Sequence, residues 1–96
     1  MITMQLIRQR KQEIMQIAAK YGAHNLRVFG SVVRGEAGPE SDLDLLVQFD
    51  ANRSLFDLVT MSQELEDLFG RRVEVVTEQA LHWYIRERVL HEAVAL

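Results

Sequence analysis

The chain has 96 residues, a formal net charge of −3, 48% hydrophobic and 26% charged residues, and no cysteine. That length supports one small core burying roughly 60 to 70% of the surface an unfolded chain exposes, so residues 1–96 are expected to form a single domain and any large substrate to be held partly by another molecule. The composition excludes disorder, disulfides and thiolate metal sites; net acidity argues against direct nucleic-acid binding; and the short apolar runs lead to the expectation of a cytoplasmic protein with no membrane contact.

Residues 3–21 read as a helix, since Ile14, Ile17, Ala18 and Tyr21 fall at i, i+3, i+4 and i+7 while Arg8, Arg10, Lys11 and Lys20 stay polar. Gly22 ends it. Leu26 to Phe29 is a short strand leading into Gly30-Ser31, and a short helix is expected from Ser31 to about Glu36. The run GEAGPES then marks a loop. Asp42 to Phe49 reads as a strand with Leu43, Leu45, Val47 and Phe49 on one side and Asp42, Asp44, Leu46 and Gln48 on the other. Ser54 and Asp57 form a capping box opening a helix whose expected buried stripe is Leu55, Leu58, Val59, Leu65 and Phe69, closed by Gly70. Arg72 to Val76 is a further strand, with Val73 and Val75 opposite Glu74. Thr77 is expected to cap a last helix carrying Leu81, Tyr84, Ile85 and Val89 at helical spacing. The fold class is therefore α+β, a small mixed β-sheet backed by helices.

The chemistry concentrates between Gly30 and Asp44. A Gly-Ser turn suits a phosphate, because glycine permits close backbone approach and a following helix presents free N–H groups. Two aspartates two apart on a strand suit a hard cation. Asp42 and Asp44 would stand roughly 6 to 7 Å apart at their backbones, near enough for their side chains to converge. At a separation of ~5 Å and an effective dielectric of ~20 their repulsion is about 3 kcal/mol, a cost that a cation removes if the site is recessed. Nine of the fourteen acidic residues lie between 36 and 67, opposed there only by Arg53, which would favour divalent ions but also describes a solvated helix face. An isolated Asp-x-Asp is more often just the polar side of an edge strand. Here a Gly-Ser turn precedes it and Glu74 follows on a later strand, and the coincidence points to a nucleoside triphosphate site with magnesium. An EF-hand would need glycine and glutamate where Val47 and Arg53 stand, and neither a Walker A loop nor G-x-G-x-x-G is present. Arg34 has two readings: a partner for β- or γ-phosphate oxygens, or a surface arginine bonded to Glu36 or Glu40.

The stretch VFGSVVRGEAGPESDLDLLV resembles the signature of the minimal nucleotidyltransferases, compact members of the DNA polymerase β superfamily, and the similarity extends over most of the chain. The resemblance implies a polymerase β palm-like fold in which Gly30 and Ser31 hold the triphosphate and Asp42, Asp44 and Glu74 bind magnesium, two ions in all. Glu74 stands where the family usually has aspartate. In the polymerase-like mechanism this third acid would accept the proton of the attacking hydroxyl. Many stand-alone domains of this kind resemble antitoxins whose partner is an all-helical HEPN ribonuclease toxin. The implied activity is transfer of AMP from ATP to a tyrosine hydroxyl of that toxin, which agrees with a chain too short to hold an acceptor alone. Two rivals remain open: a binding module that neutralises the toxin by occlusion, and nucleotidyl transfer to a small molecule.

His24, His82 and His91 are too scattered for a metal cluster, leaving solvated or capping roles. Arg86 and His91 share the R-x4-H spacing of HEPN ribonucleases, but residues five apart on a helix point roughly 140° away from each other, so the match is coincidental. Trp83 and Tyr84 read either as a partner surface or as packing of the last helix on the sheet. The four methionines read as core filler.

Overall fold

A computed structural model describes all 96 residues. Helices α1 (Met4–Gln9) and α2 (Lys11–Lys20) lead into β1 (Ala23–Phe29), the single turn α3 (Ser31–Arg34), β2 (Leu43–Phe49), α4 (Leu55–Phe69), β3 (Val73–Thr77), a 3-10 turn at Glu78–Ala80, α5 (Trp83–Glu92) and β4 (Val94–Ala95). The sheet order is β3-β2-β1-β4, with β1 antiparallel to both β2 and β4, and β2 parallel to β3 through the α4 crossover. The sheet is mixed, as expected.

The helix expected over 3–21 is interrupted at Arg10, whose φ of −101° and ψ of 12° leave helical geometry for one residue. Its N–H is shared between the Ile7 and Leu6 carbonyls, and its own carbonyl accepts from Ile14, so the chain continues with little hydrogen-bond loss. The bend lets Ile2 lie beside Val32, Val33 and Ala37 while Ile14 and Ala18 stay in the core.

Alternation along β2 builds the core. Leu43, Leu45 and Val47 are fully buried against Ile14 and Ala18 of α2, Met61 and Leu65 of α4, and Val73 and Val75 of β3. β1 joins the same layer through Leu26 and Val28, helped by a bulge at Asn25, whose φ of 51° is tolerated by asparagine and sets Arg27 and Phe29 to the opposite side. Leu46 shares that opposite side and is also fully buried, outside the main cluster, as is Val89 of α5. The 3-10 turn packs against β2, and Glu78 there pairs with Arg27 at 2.7 Å while Arg86 of α5 donates to the Glu78 carbonyl at 2.9 Å. One end of the second sheet face is thus roofed; the end nearer Asp44 is not.

Three local expectations need correction. The buried stripe of α4 runs through Leu58, Met61, Leu65, Leu68 and Phe69, while Leu55 and Val59, near the N-terminal end of the helix, are exposed. Thr77 caps the 3-10 turn through Ala80 N–H, and it is His82 whose Nδ1 accepts from Tyr84 N–H to open α5. Tyr84 and Trp83, at 76% and 78% exposure, do not pack on the sheet. The capping box is present, with Ser54 N–H donating to Asp57 at 2.9 Å. No helix is long and apolar enough to cross a membrane.

Candidate active site

Asp44 is the centre of the open end of the second sheet face. In the register it sits beside Phe29 of β1 and Glu74 of β3. Parallel neighbours in register project to the same side about 4.8 Å apart, so the Asp44 and Glu74 carboxylates share one strip of surface. Asp42 lies two residues earlier, just before β2 rather than within it as expected, because pairing with β3 begins only where Leu43 N–H donates to the Arg72 carbonyl at 3.0 Å. Its side chain is partly exposed, with Oδ2 3.9 Å from Arg72 Nε.

The Asp44 carboxyl is pushed up to about 6, first by burial, then by the charges of Glu74 and Asp42 and a hydrogen bond with Glu74, with Arg34 pulling the other way. Like charges are therefore within reach of one another. They are not drawn into a finished cage: no three acid or histidine side chains are gathered closely enough to hold an ion together. The donor set still fits magnesium, being all carboxylate oxygen and carrying more negative charge than Arg72 and Arg34 offset, with Glu74 exposed to solvent.

The Gly-Ser turn abuts this strip. Gly30 has φ 83° and ψ −155°, a conformation that L side chains rarely adopt, and a Cβ built on it would collide with the Asp44 carboxylate. Two segments separated by the whole GEAGPES loop thus meet at one point. Ser31 opens α3, and the Gly30 carbonyl accepts from the N–H groups of Val33 and Arg34 at 3.1 and 3.3 Å. Gly35, at φ 72°, closes the turn.

Arg34 projects from the end of α3. Its Nη1 donates to Glu92 at 2.5 Å and its Nε to Glu36 at 3.1 Å, and the two carboxylates, Glu92 foremost, raise its pKa. Glu36 was one of its two expected acidic neighbours; Glu40 is not among its bonds. Glu92 also accepts the Gly30 N–H at 2.9 Å. Burial acts to raise the Glu92 carboxyl, but the Gly30 N–H and the Arg34 guanidinium outweigh it and hold the group below its usual range. Glu92 escaped the sequence reading, since it lies 62 residues beyond Gly30 and no local spacing announces the contact.

Leu55 and Phe56 at the start of α4 and Trp83 and Tyr84 at the start of α5 are all largely exposed. Arg86 is bonded within the fold and His91 is exposed, as expected of a coincidental spacing.

A sequence profile described as nucleotidyltransferase domain matches residues 11–96. A protein of Methanocaldococcus jannaschii provisionally named protein adenylyltransferase MJ0435 is 40% identical over 88 residues, covering 92% of this chain and 95% of the relative. Protein adenylyltransferase MntA of Thermococcus cleftensis is 39% identical over 79 residues, covering 82% of this chain and 80% of the relative. A solved structure provisionally described as a minimal nucleotidyltransferase superposes with a TM-score of 0.86 at 44% identity, over 99% of this chain and 97% of the other. A toxin-antitoxin complex solved with AMP-PNP contains a chain of the same fold, at a TM-score of 0.74 and 16% identity over 88% of this chain and 69% of that one.

Proposed function

The chain belongs to the nucleotidyltransferase domain family, with the fold of its minimal members, and from that premise we propose that it is a magnesium-dependent protein adenylyltransferase. In this reading it moves AMP from ATP to a tyrosine hydroxyl of a HEPN ribonuclease toxin and so acts as the toxin's antitoxin. The observation that carries the reading is the contact between the Gly30 turn and the Asp44 carboxylate, beside Glu74 in the next strand. Phosphate-binding backbone and cation-binding oxygens are then neighbours, as a nucleoside triphosphate with its metal requires.

Gly30 and Ser31 would hold the triphosphate by close backbone approach, and the N–H groups of Arg34 not given to Glu36 or Glu92 would be available to its outer oxygens. Asp42, Asp44 and Glu74 would hold magnesium, which when bound neutralises the triphosphate and lowers the pKa of the attacking hydroxyl. The tyrosine oxygen forms a bond to the α-phosphorus, the bond from that phosphorus to the bridging oxygen breaks, and pyrophosphate leaves. Glu74, the most exposed of the three acids, accepts the hydroxyl proton and passes it to solvent.

Relatives named protein adenylyltransferase and the likeness to a chain in a toxin-antitoxin complex support the acceptor class. Purified protein mixed with labelled ATP, magnesium and the helical protein encoded beside it should yield a labelled partner, and Asp42→Asn or Asp44→Asn should abolish the label. Labelling that survives both changes would falsify the assignment. A second reading, neutralisation by occlusion, draws on the exposed Leu55, Phe56, Trp83 and Tyr84. It requires an Asp42→Asn, Asp44→Asn double variant to go on protecting cells from the toxin.

A further inference from the structure

Glu92 stands in the last turn of α5, a helix with one buried residue, Val89. Its side chain is nonetheless only 14% exposed, because one carboxylate oxygen takes the Gly30 N–H and the other the Arg34 guanidinium. The chain just beyond it is fixed as well: β4 pairs with Arg27 and Val28 of β1, and Leu96 N–H donates to the Leu26 carbonyl at 3.1 Å. Two of the groups assigned to the triphosphate are therefore tied to the C-terminal segment.

A carboxylate at that position would either compete with phosphate or hold the turn in place, and the donor inventory decides between them. A guanidinium has five N–H groups. Arg34 gives one from Nη1 to Glu92 and its Nε proton to Glu36, which leaves three for an anion. Gly30, by contrast, has one N–H and no side chain to fix its peptide, and its positive φ is a conformation that glycine enters and leaves freely. The bond to Glu92 pins the Phe29–Gly30 peptide where Gly30 can lie against the Asp44 carboxylate.

Resting on the nucleotide reading above, we infer that Glu92 is a positioning residue, which sets the Gly30 turn and the Arg34 guanidinium for the triphosphate and so couples the last helix to nucleotide affinity. The test is calorimetric titration of a non-hydrolysable ATP analogue with magnesium into the full chain, its Glu92→Ala, Glu92→Gln and Arg34→Ala variants, and the Arg34→Ala, Glu92→Ala double variant. Glu92→Ala should weaken binding about tenfold, the usual cost of losing a residue that orients a ligand-binding group. Glu92→Gln, which keeps one acceptor oxygen, should lose less. The double variant should bind more weakly than either single one but by less than the two losses combined, because Arg34→Ala already removes one of the two contacts of Glu92 and leaves its bond to the Gly30 N–H. In the AMP-transfer assay KM for ATP should rise while KM for the protein acceptor stays level. Thermal unfolding is recorded for each variant, and if Glu92→Ala does not fold, Glu92→Gln decides. Unchanged binding in the folded variant, or purely additive losses, would overturn the inference; tighter binding would also overturn it and mark the carboxylate as a competitor of phosphate. Failure of the unaltered chain to bind the analogue at all would instead remove the nucleotide reading on which the inference stands.

Discussion

The two sides of β2 answer to different physics. On one, Leu43, Leu45 and Val47 have no exposed surface and lie in one cluster with buried residues of four helices and both neighbouring strands. On the other, Asp44 is half-buried among like charges, at a cost to the metal-free fold that burial of an apolar group would not carry. The first side stabilises the protein, as Leu46 does at the roofed end of the second; the end at Asp44 is held against its own repulsion, a perturbation that clusters at functional sites. The lesson is that adjacent residues on one strand divide stability from function, so substitutions one position apart should move different observables.

The sharpest contrast is between Asp44→Asn and Leu45→Ala. The first should lower AMP transfer by on the order of 10³-fold, as loss of charge at a phosphoryl-transfer centre does, while leaving the fold intact. The second should cost about 2 to 5 kcal/mol of unfolding free energy through transfer and cavity terms, read by chemical denaturation. Equal effects of both changes on stability would erase the division.

Gly30→Ala comes next. It both strains the positive φ, by about 1 to 3 kcal/mol, and drives a methyl group toward Asp44. Its melting temperature should fall and its affinity for ATP should fall further than the stability loss explains. An active, unshifted Gly30→Ala protein would mean that the turn and the acid strip do not touch in solution.

How much of this was legible beforehand depended on range. The Gly-Ser turn, the Asp-x-Asp pair and the burial of Leu43, Leu45 and Val47 depend on neighbours a few residues away, and local pattern exposes them. Glu92 meets Gly30 across 62 residues, and nothing at that separation is periodic. Leu55 and Val59 were misplaced for a related reason: helical spacing shows which residues share a side of α4 but not where the sheet beneath it ends. The two residues of β4 are too few to announce a strand by alternation, and they pair because β1 offers an open edge. Leu46, grouped with the acids by alternation, is fully buried, and the 3-10 turn that packs against its strand arrives from later in the chain.

Smaller effects refine the comparison. The folded-state pKa of Asp44 lies above its unfolded value, at about 6 against 3.8, so its protonated form favours the fold. The sign follows directly: metal-free protein should be most stable, as far as this group is concerned, below about pH 4, and should lose that increment as pH rises through about 6. Allowing for solvent screening of a half-exposed carboxylate, the increment is about 1 kcal/mol. Asp44→Asn should lack this pH dependence and be the more stable protein at pH 7 to 8, a difference that paired thermal scans from about pH 4 to 8 would resolve. Trp83→Ala, at a side chain that stands clear of the fold, should change unfolding free energy by less than about 0.5 kcal/mol. A larger loss would place Trp83 in the core of the molecule and remove it from any partner surface.

The central claim is that the glycine turn and the acid strip serve a single ligand. A crystal structure of the chain with magnesium and a non-hydrolysable ATP analogue tests it directly. The account predicts phosphates seated on Gly30 and Ser31 and density for metal between Asp42, Asp44 and Glu74. A nucleotide bound elsewhere, with those three carboxylates turned away from it, would contradict the account.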